Sequence, residues 1–297
     1  MQEIKVSEGG KRIDAYLASV TDLSRTKIEK LLKDGTILVN DKNVKTSYKV
    51  TEDDIITIDD YEEEIMDAVP ENIPLDIVYE DDDVIVVNKA NGMVVHPAPG
   101  NMHGTLVNAL LYHFNSLSNV NGNLRPGIVH RIDAYTTGLL MVAKNDYAHN
   151  FLADELAKKE TERVYIALVD GVINNTTGTI DAPIGRDIKD RKKMAVTDKN
   201  AKEAVTHFTV LKRFENHTLV ELKLETGRTH QIRVHMNYIG HPVTNDPVYG
   251  NHKLYDESGQ CLHAKIIGFT HPRTLKWMHF DSELPECFTN ILNREDL

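Results

Sequence analysis

VHRIDAYTTGLLMVAK, residues 129–144, poses the problem that the rest of the chain has to answer. Its second half, LLMVA, is an uninterrupted apolar run bounded by Gly138 and Lys144, the pattern of a strand buried on both faces. Its first half sets an imidazole, a guanidinium and a carboxylate (His130, Arg131 and Asp133) within four residues at the mouth of that strand. A charged group buried there is costly unless another charge meets it. The segment therefore asks for a cation from elsewhere in the chain and for a strand-rich domain to deliver it.

Working outward, the neighbouring segments read mostly as strands. VIVV in DIVYEDDDVIVVNK (76–89) is a second buried strand, followed by VYIALVDG (164–171), EAVTHFTVLKRF (203–214) and HTLVELKLETG (217–227). VELKLET alternates as a half-buried antiparallel strand does. Helical spacing is clearest in GTLVNALLYHF (104–114) and AHNFLADELAKKE (148–160). The expected fold is mixed α+β: a mainly antiparallel sheet with flanking helices over residues 76–297.

A smaller α/β module precedes it over residues 1–60. RIDAYLASV (12–20) puts Ile13, Tyr16, Leu17 and Val20 on one helical face. LSRTKIEKLLKDG follows with Ser24 as N-cap, an Ile28, Leu31 and Leu32 stripe, and Gly35 just past its end. TILVN and DIITID supply strands around an Asn40–Asn43 turn. Between the modules, residues 61–75 read as an acidic linker carrying Pro70 and Pro74.

The net charge of −11 is unevenly spread. Residues 61–83 hold ten acids and no Lys or Arg, and residues 281–297 carry a net −4. Residues 84–280 carry +5 and residues 11–49 carry +4. Because salt screens charge beyond about 8–10 Å, local sign governs what the two modules bind, and a polyanion partner is compatible with the sequence. Two cysteines, wrongly spaced for a disulfide framework or zinc knuckle, and the absence of a signal-peptide core or an 18-residue apolar run point to a cytoplasmic protein with no membrane partner.

Several chemistries lack their signatures: no Walker loop, no G-x-G-x-x-G, no G-x-S-x-G and no H-E-x-x-H occurs, despite 14 histidines. What remains is a set of polar clusters at strand ends: PGIVHRIDAYTTG (126–138), ETERVYIALVDG (160–171) with Tyr165 inside an apolar strand, ETGRTHQIRVHMNYIGHPVTNDPVYG (225–250), and VVNKANGMVVHPAPGNMHGTLVNAL (86–110) with Lys89, His96 and Pro97. Singly, each has a plainer reading: a surface ion pair worth under ~1 kcal/mol, a core tyrosine, a solvated strand face. Together they favour one shared site, with Asp133 ionised, Arg233 paired to it and Tyr165 covering a ligand. Arg233 is preferred to Arg228 because strand alternation sends Gln231 and Arg233 to one side and Ile232 and Val234 to the other. A lone carboxylate of this kind acts as nucleophile or general base.

The VHRIDAYTTGLLMVAK segment resembles the signature of the large-subunit ribosomal RNA pseudouridine synthases, H-R-L-D-x-x-T-[ST]-G-L followed by a strand. KANGMVVHPAPGNMHGTLVNALL, the Tyr165 strand, TGRTHQIRVHM, GHPVTNDPVYG and LHAKIIGFTHPRT resemble the same family in the same order, over about residues 75–285. Residues 11–58 resemble the small RNA-binding module of the fourth small-subunit ribosomal protein, a combination similar to the D-type members. The chain departs from the family pattern at Ala134-Tyr135, often Lys-Asp, at Ala90, often Pro, and at Asp53, usually Gly.

The resemblance implies isomerisation of uridine to pseudouridine in 23S ribosomal RNA, without metal or cofactor; a monomer is the default expectation, and the sequence leaves open whether the substrate is free RNA or a precursor particle. It implies Asp133 as the essential carboxylate, Arg233 as the partner that keeps it ionised, and Tyr165 as the ring that stacks on uracil and serves as base for a sugar proton. Three routes fit one carboxylate: attack on the sugar, attack on the base, or a glycal path. Arg131 would fill the gap left by an extruded nucleotide, His130 would join it in binding RNA, and Arg25, Lys27 and Lys30 would contact phosphates. The alternative from another class is a non-catalytic RNA-binding assembly factor on the same fold, against which Asp133, Tyr165 and Arg233 speak. A hydrolase of a small phosphorylated metabolite would leave the basic helix unexplained.

Overall fold

Short capping signals place the N-terminal elements. The structure is a computed structural model describing residues 1–60, 67–250 and 254–294, and the chain divides into two units, Met1–Ile65 and Met66–Leu297. In the first, strand β1 (Gln2–Lys5) is followed by helices α1 (Ile13–Val20) and α2 (Arg25–Lys33) and strands β2 (Ile37–Val39) and β3 (Ile55–Ile58), the strands forming an antiparallel sheet in the order β1-β3-β2. Ser24 starts α2 by accepting a hydrogen bond from the Lys27 N–H at 3.3 Å. The helical stripes meet the sheet in a core of Ile13, Leu17, Ile28, Leu31, Ile37 and Ile56. Val20, expected on that face, is exposed at the helix end. Asp53 adopts φ 69° before β3, a left-handed turn position that Asp tolerates where Gly is the commoner residue.

The second unit opens with β4 (Asp76–Glu80), β5 (Val84–Lys89) and α3 (Leu106–His113), then β6 (Thr137–Ala143), α4 (Asp146–Ala157) and β7 (Glu162–Asp170). Strands β8 (Thr177–Asp181), β9 (Ile184–Arg186), β10 (Met194–Val196), β11 (Val205–Arg213) and β12 (His217–Leu224) lead into α5 (Gln231–Tyr238), and β13 (Leu262–Thr270), β14 (Trp277–Asp281) and α6 (Glu286–Leu292) close it. Nine of these strands make one sheet in the order β4-β5-β6-β13-β7-β12-β11-β8, with β14 also on β13. Every pairing in that sheet is antiparallel except β6 with β13.

The parallel contact fixes the opening segment. Gly138, at φ 106°, lies opposite Ala264, and a Cβ there would stand 2.2 Å from the Ala264 carbonyl oxygen. Glycine is therefore required where the strand begins. Beyond it the apolar run packs on both sides. Leu140 and Val142 join Ile85 and Val87 under α3, while Leu139 and Met141 join Val84, Val86 and Leu152 of α4. That two-sided burial is why VIVV and LLMVA are continuous rather than alternating.

Three differences from the sequence reading have local causes. QIRVHMNY is helical, not a strand, and His230 at φ 57° makes the sharp entry into it. Of the acidic linker, residues 61–66 lie outside the described residues. Residues 67–75 pack on the second unit instead: Ala68 enters its core, and the Val69 carbonyl and Glu71 N–H bond to Asn108 of α3. The β9–β10 hairpin and the outer strands β8 and β14 are short or polar, which hid them from an apolar-run reading. Among the described residues no helix is long and apolar enough to cross a membrane.

Candidate active site

Asp133 sits on the loop between the Ile128 bridge and β6, held at both ends. Downstream, the Thr136 N–H donates to the Asp133 carbonyl oxygen, Thr136 Oγ1 accepts from Gln260 Nε2 at 3.0 Å, and Thr137 Oγ1 meets His263 Nδ1 at 2.8 Å. From the side, Lys89, 1% exposed, donates its ammonium to the carbonyl oxygens of Ala90 (2.8 Å), Met93 (2.9 Å) and Ala134 (2.7 Å). Burial pulls the Lys89 pKa down to about 7, with the charge of Asp133 opposing it. Residues 90 and 134 offer this clamp only their backbone oxygens, which explains how both depart from the family pattern without breaking it.

Arg233, buried in α5, meets Asp133: its Nη1 donates to Asp133 Oδ2 at 2.9 Å. Its other edge makes a two-pronged pair with fully buried Asp246, Nε to Oδ2 at 2.7 Å and Nη2 to Oδ1 at 2.8 Å. Asp246 Oδ1 also accepts the N–H groups of Val248 and Tyr249, so the NDPVYG turn is folded around this carboxylate. The Tyr249 ring lies 5.0 Å from the guanidinium carbon, and its hydroxyl accepts from the Met194 N–H and meets His230 Nδ1 at 2.8 Å. Burial alone would lower the Arg233 pKa, but the bonds to Asp246 and the charges of Asp246 and Asp133 raise it, so the group is a permanent cation. His230 Nε2 stands 3.8 Å from Asp133 Oδ1.

The pairing of Arg233 with Asp133 is thus present, for a reason other than strand alternation. On a helix, positions two apart point some 200° from each other. Gln231 accordingly turns away to Val205, Thr206, Thr226 and the Arg228 N–H, and His235, one turn on, reaches Thr206 and Ala182.

Asp133, Tyr165 and Arg233 line one cavity of about 470 Å³, with Arg131, Arg163 and Arg228 around it. Tyr165, 7% exposed on β7, has its phenol pKa raised by burial, with Asp133 adding to the effect. Its ring and hydroxyl line the cavity with Asp133. Arg131 is exposed at the rim.

His130 also lines the cavity. Its Nε2 accepts the Met141 N–H at 3.2 Å, and burial, with Arg163 nearby, drives its pKa to about 3. The neutral ring braces the loop against β6. Arg25 and Lys30 are exposed on α2 and Lys27 is half-buried, all in the first unit. Asp246, Tyr249, Lys89 and Arg163 complete the site without having been given roles from sequence. The demand of a buried guanidinium for a second carboxylate was the available signal for Asp246.

One trio among the described residues, Asp81, Asp83 and His271, brings potential metal ligands within 4.8 Å of one another. Its carboxylates already accept from Arg273, Tyr79, His271 and the N–H groups of Asp83 and Val84, so a cation would have to displace an ion-pair network.

A nine-stranded sheet thus presents one carboxylate with a guanidinium bonded to it, and a tyrosine lines the same cavity. The chain belongs to the RNA pseudouridylate synthase family: that family's model matches residues 83–238, and an S4 domain matches residues 11–56. It is 54% identical to an uncharacterized RNA pseudouridine synthase of Bacillus subtilis over 98% of this chain and 96% of that one. It is 46% identical to ribosomal large subunit pseudouridine synthase D of Zymomonas mobilis, covering 93% and 91%, and 42% identical to the protein of that name in Pseudomonas aeruginosa, covering 98% and 94%. Among solved structures, human RNA pseudouridylate synthase domain containing 1 aligns with a TM-score of 0.58 at 28% identity, over 71% of this chain and 83% of that one. The protein is an isomerase with an RNA-binding domain.

Proposed function

We propose that this enzyme converts uridine to pseudouridine in large-subunit (23S) ribosomal RNA, free or in a precursor particle, with Asp133 as its catalytic carboxylate. The observation that carries the reading is Asp133 itself, one oxygen fixed by Arg233 and the side chain facing a cavity that Tyr165 also lines. The reaction breaks the N1–C1′ bond, turns the uracil, forms C5–C1′, releases the C5 proton to solvent and leaves N1 carrying a proton taken up in its place. Because Arg233 keeps both Asp246 and Asp133 as partners, it holds the carboxylate in place without moving a proton itself. The Tyr165 ring stacks on the extruded base, and Arg131 at the rim fills the gap it leaves, offsetting part of the few kcal/mol of lost stacking. Exposed cations of α2 contact phosphates without reading sequence.

The test is tritium release from 23S RNA labelled at uracil C5, transcribed without modifications. Wild-type protein releases tritium and Asp133→Ala does not. Equal release by the two would remove the assignment of Asp133, and no release by wild type on ribosomal RNA would remove the substrate. Mapping pseudouridines in a deletion strain then names the positions.

A further inference from the structure

The cavity wall opposite α5 carries a cation that the chemistry described so far does not use. Arg163 lies two residues before Tyr165 on β7, so the two side chains leave the same face of the strand. Both line the cavity. Arg163 is only 8% exposed, yet among the described residues no carboxylate lies within ion-pair distance of it. Its one hydrogen bond runs from Nη2 to the Glu225 carbonyl oxygen at 3.3 Å, and its Nε is buried with no acceptor. The Glu225 carboxylate is engaged elsewhere, by Lys159 at 3.3 Å and His207 at 2.7 Å.

The charged groups that act on Arg163 make matters worse rather than better. Burial lowers its pKa, the phenol of Tyr165 resists that slightly, and the positive charge of Arg228 adds to it. His130 beside it is neutral. Gly227 completes the seat: a Cβ there would come within 2.7 Å of Arg163 Nη1, so the chain leaves the guanidinium room by having no side chain. A guanidinium buried without a counter-charge is a standing cost in the free protein. It is relieved when an anion with two oxygens reaches the guanidinium N–H groups.

We propose that Arg163, seconded by Arg228, forms a phosphate subsite that receives the backbone phosphodiester adjoining the nucleotide turned into the cavity. The proposal rests on the reading of the protein as an RNA pseudouridine synthase and adds a binding role for a residue outside the Asp133–Arg233–Asp246 cluster. It explains why the strand that brings the stacking ring also brings an unpaired cation: ring and phosphate belong to one nucleotide, and one strand face sets their spacing. Arg163 holds substrate and moves no proton.

The experiment compares wild type, Arg163→Met and Arg163→Lys, each also in an Asp133→Ala background for binding. Measured are the melting temperature, kcat and KM for tritium release, and the salt dependence of binding to unmodified 23S RNA. The proposal expects Arg163→Met to melt at or above the wild-type temperature, because the substitution removes an unpaired buried charge. It expects kcat/KM to fall about 10-fold, and the slope of log affinity against log salt to shrink by about 0.7–0.9, the value of one phosphate contact. Arg163→Lys restores the slope and part of the activity.

A lowered melting temperature with an unchanged slope would make Arg163 a packing residue and overturn the proposal. Lost activity with unchanged slope and stability would assign it to an uncharged atom of the base, which also overturns it. The absence of any change does the same. Wild type that releases no tritium would instead refute the ribosomal RNA reading, and the salt slopes in the Asp133→Ala background would still decide the phosphate contact.

Discussion

The two walls of the cavity each bury an arginine, and they treat it oppositely. On α5, Arg233 has a carboxylate on each edge and an aromatic ring beside it. On β7, Arg163 has one long bond to a carbonyl oxygen and, among the described residues, no anion. The first wall is complete before substrate arrives, which is what a group that must hold a reactive carboxylate still requires. The second is incomplete and gains its partner on binding. The contrast separates preorganisation for chemistry from reserve for affinity.

The largest effect expected from breaking this comparison falls on activity. Asp133→Ala leaves Arg233 its two bonds to Asp246, so the protein folds while tritium release drops by roughly 10³-fold or more. A variant that stays active would show that the α5 wall serves structure alone.

Asp246→Asn attacks the same wall from behind. It neutralises the fully buried one of Arg233's two carboxylate partners and leaves only Asp133, at a cost of about 1–3 kcal/mol in denaturant unfolding. Little loss there, beside an equally small effect of Arg163→Met, would erase the difference between the walls.

Lys89→Met sharpens the comparison at the loop. Without the three carbonyl bonds the Asp133 loop loosens, and kcat/KM should fall about 10-fold. The pH dependence gives a second readout. The folded-state pKa of about 7 lies below the unfolded lysine value of about 10.4, so between those values the unfolded chain binds more protons and stability rises with pH. Wild type should therefore gain stability relative to Lys89→Met as pH climbs through that window, in paired unfolding curves. Parallel curves would show that the ammonium is not burdened by its burial.

The smallest effect belongs to the exposed cations of the first unit. Arg25→Ala should weaken binding of unmodified 23S RNA a few-fold and reduce the salt slope by about 0.7–0.9, with melting unchanged. An unchanged slope would take Arg25 out of the RNA contact.

The sequence was most legible where a single local rule governs. The Ser24 cap, the VIVV and LLMVA strands and helix α3 follow from capping and continuous apolar runs. Asp133 stood out because its neighbours are charged and its strand is not. QIRVHMNY misled because four residues of alternating polarity fit a strand as well as a helix, and the left-handed turn at His230 that settles the matter leaves no mark in composition.

The chain alone determined that a sheet-rich domain carries one carboxylate at a strand mouth and that a small basic module precedes it, because burial and capping act over a few residues. Tertiary structure decided which arginine meets that carboxylate, that Asp246 stands behind it, and that Arg163 waits without a counter-charge. Those outcomes depend on which charges come within 3 Å of each other across some 100 residues of chain, as Asp133 and Arg233 do. Desolvation makes such meetings decisive, and sequence spacing does not encode them.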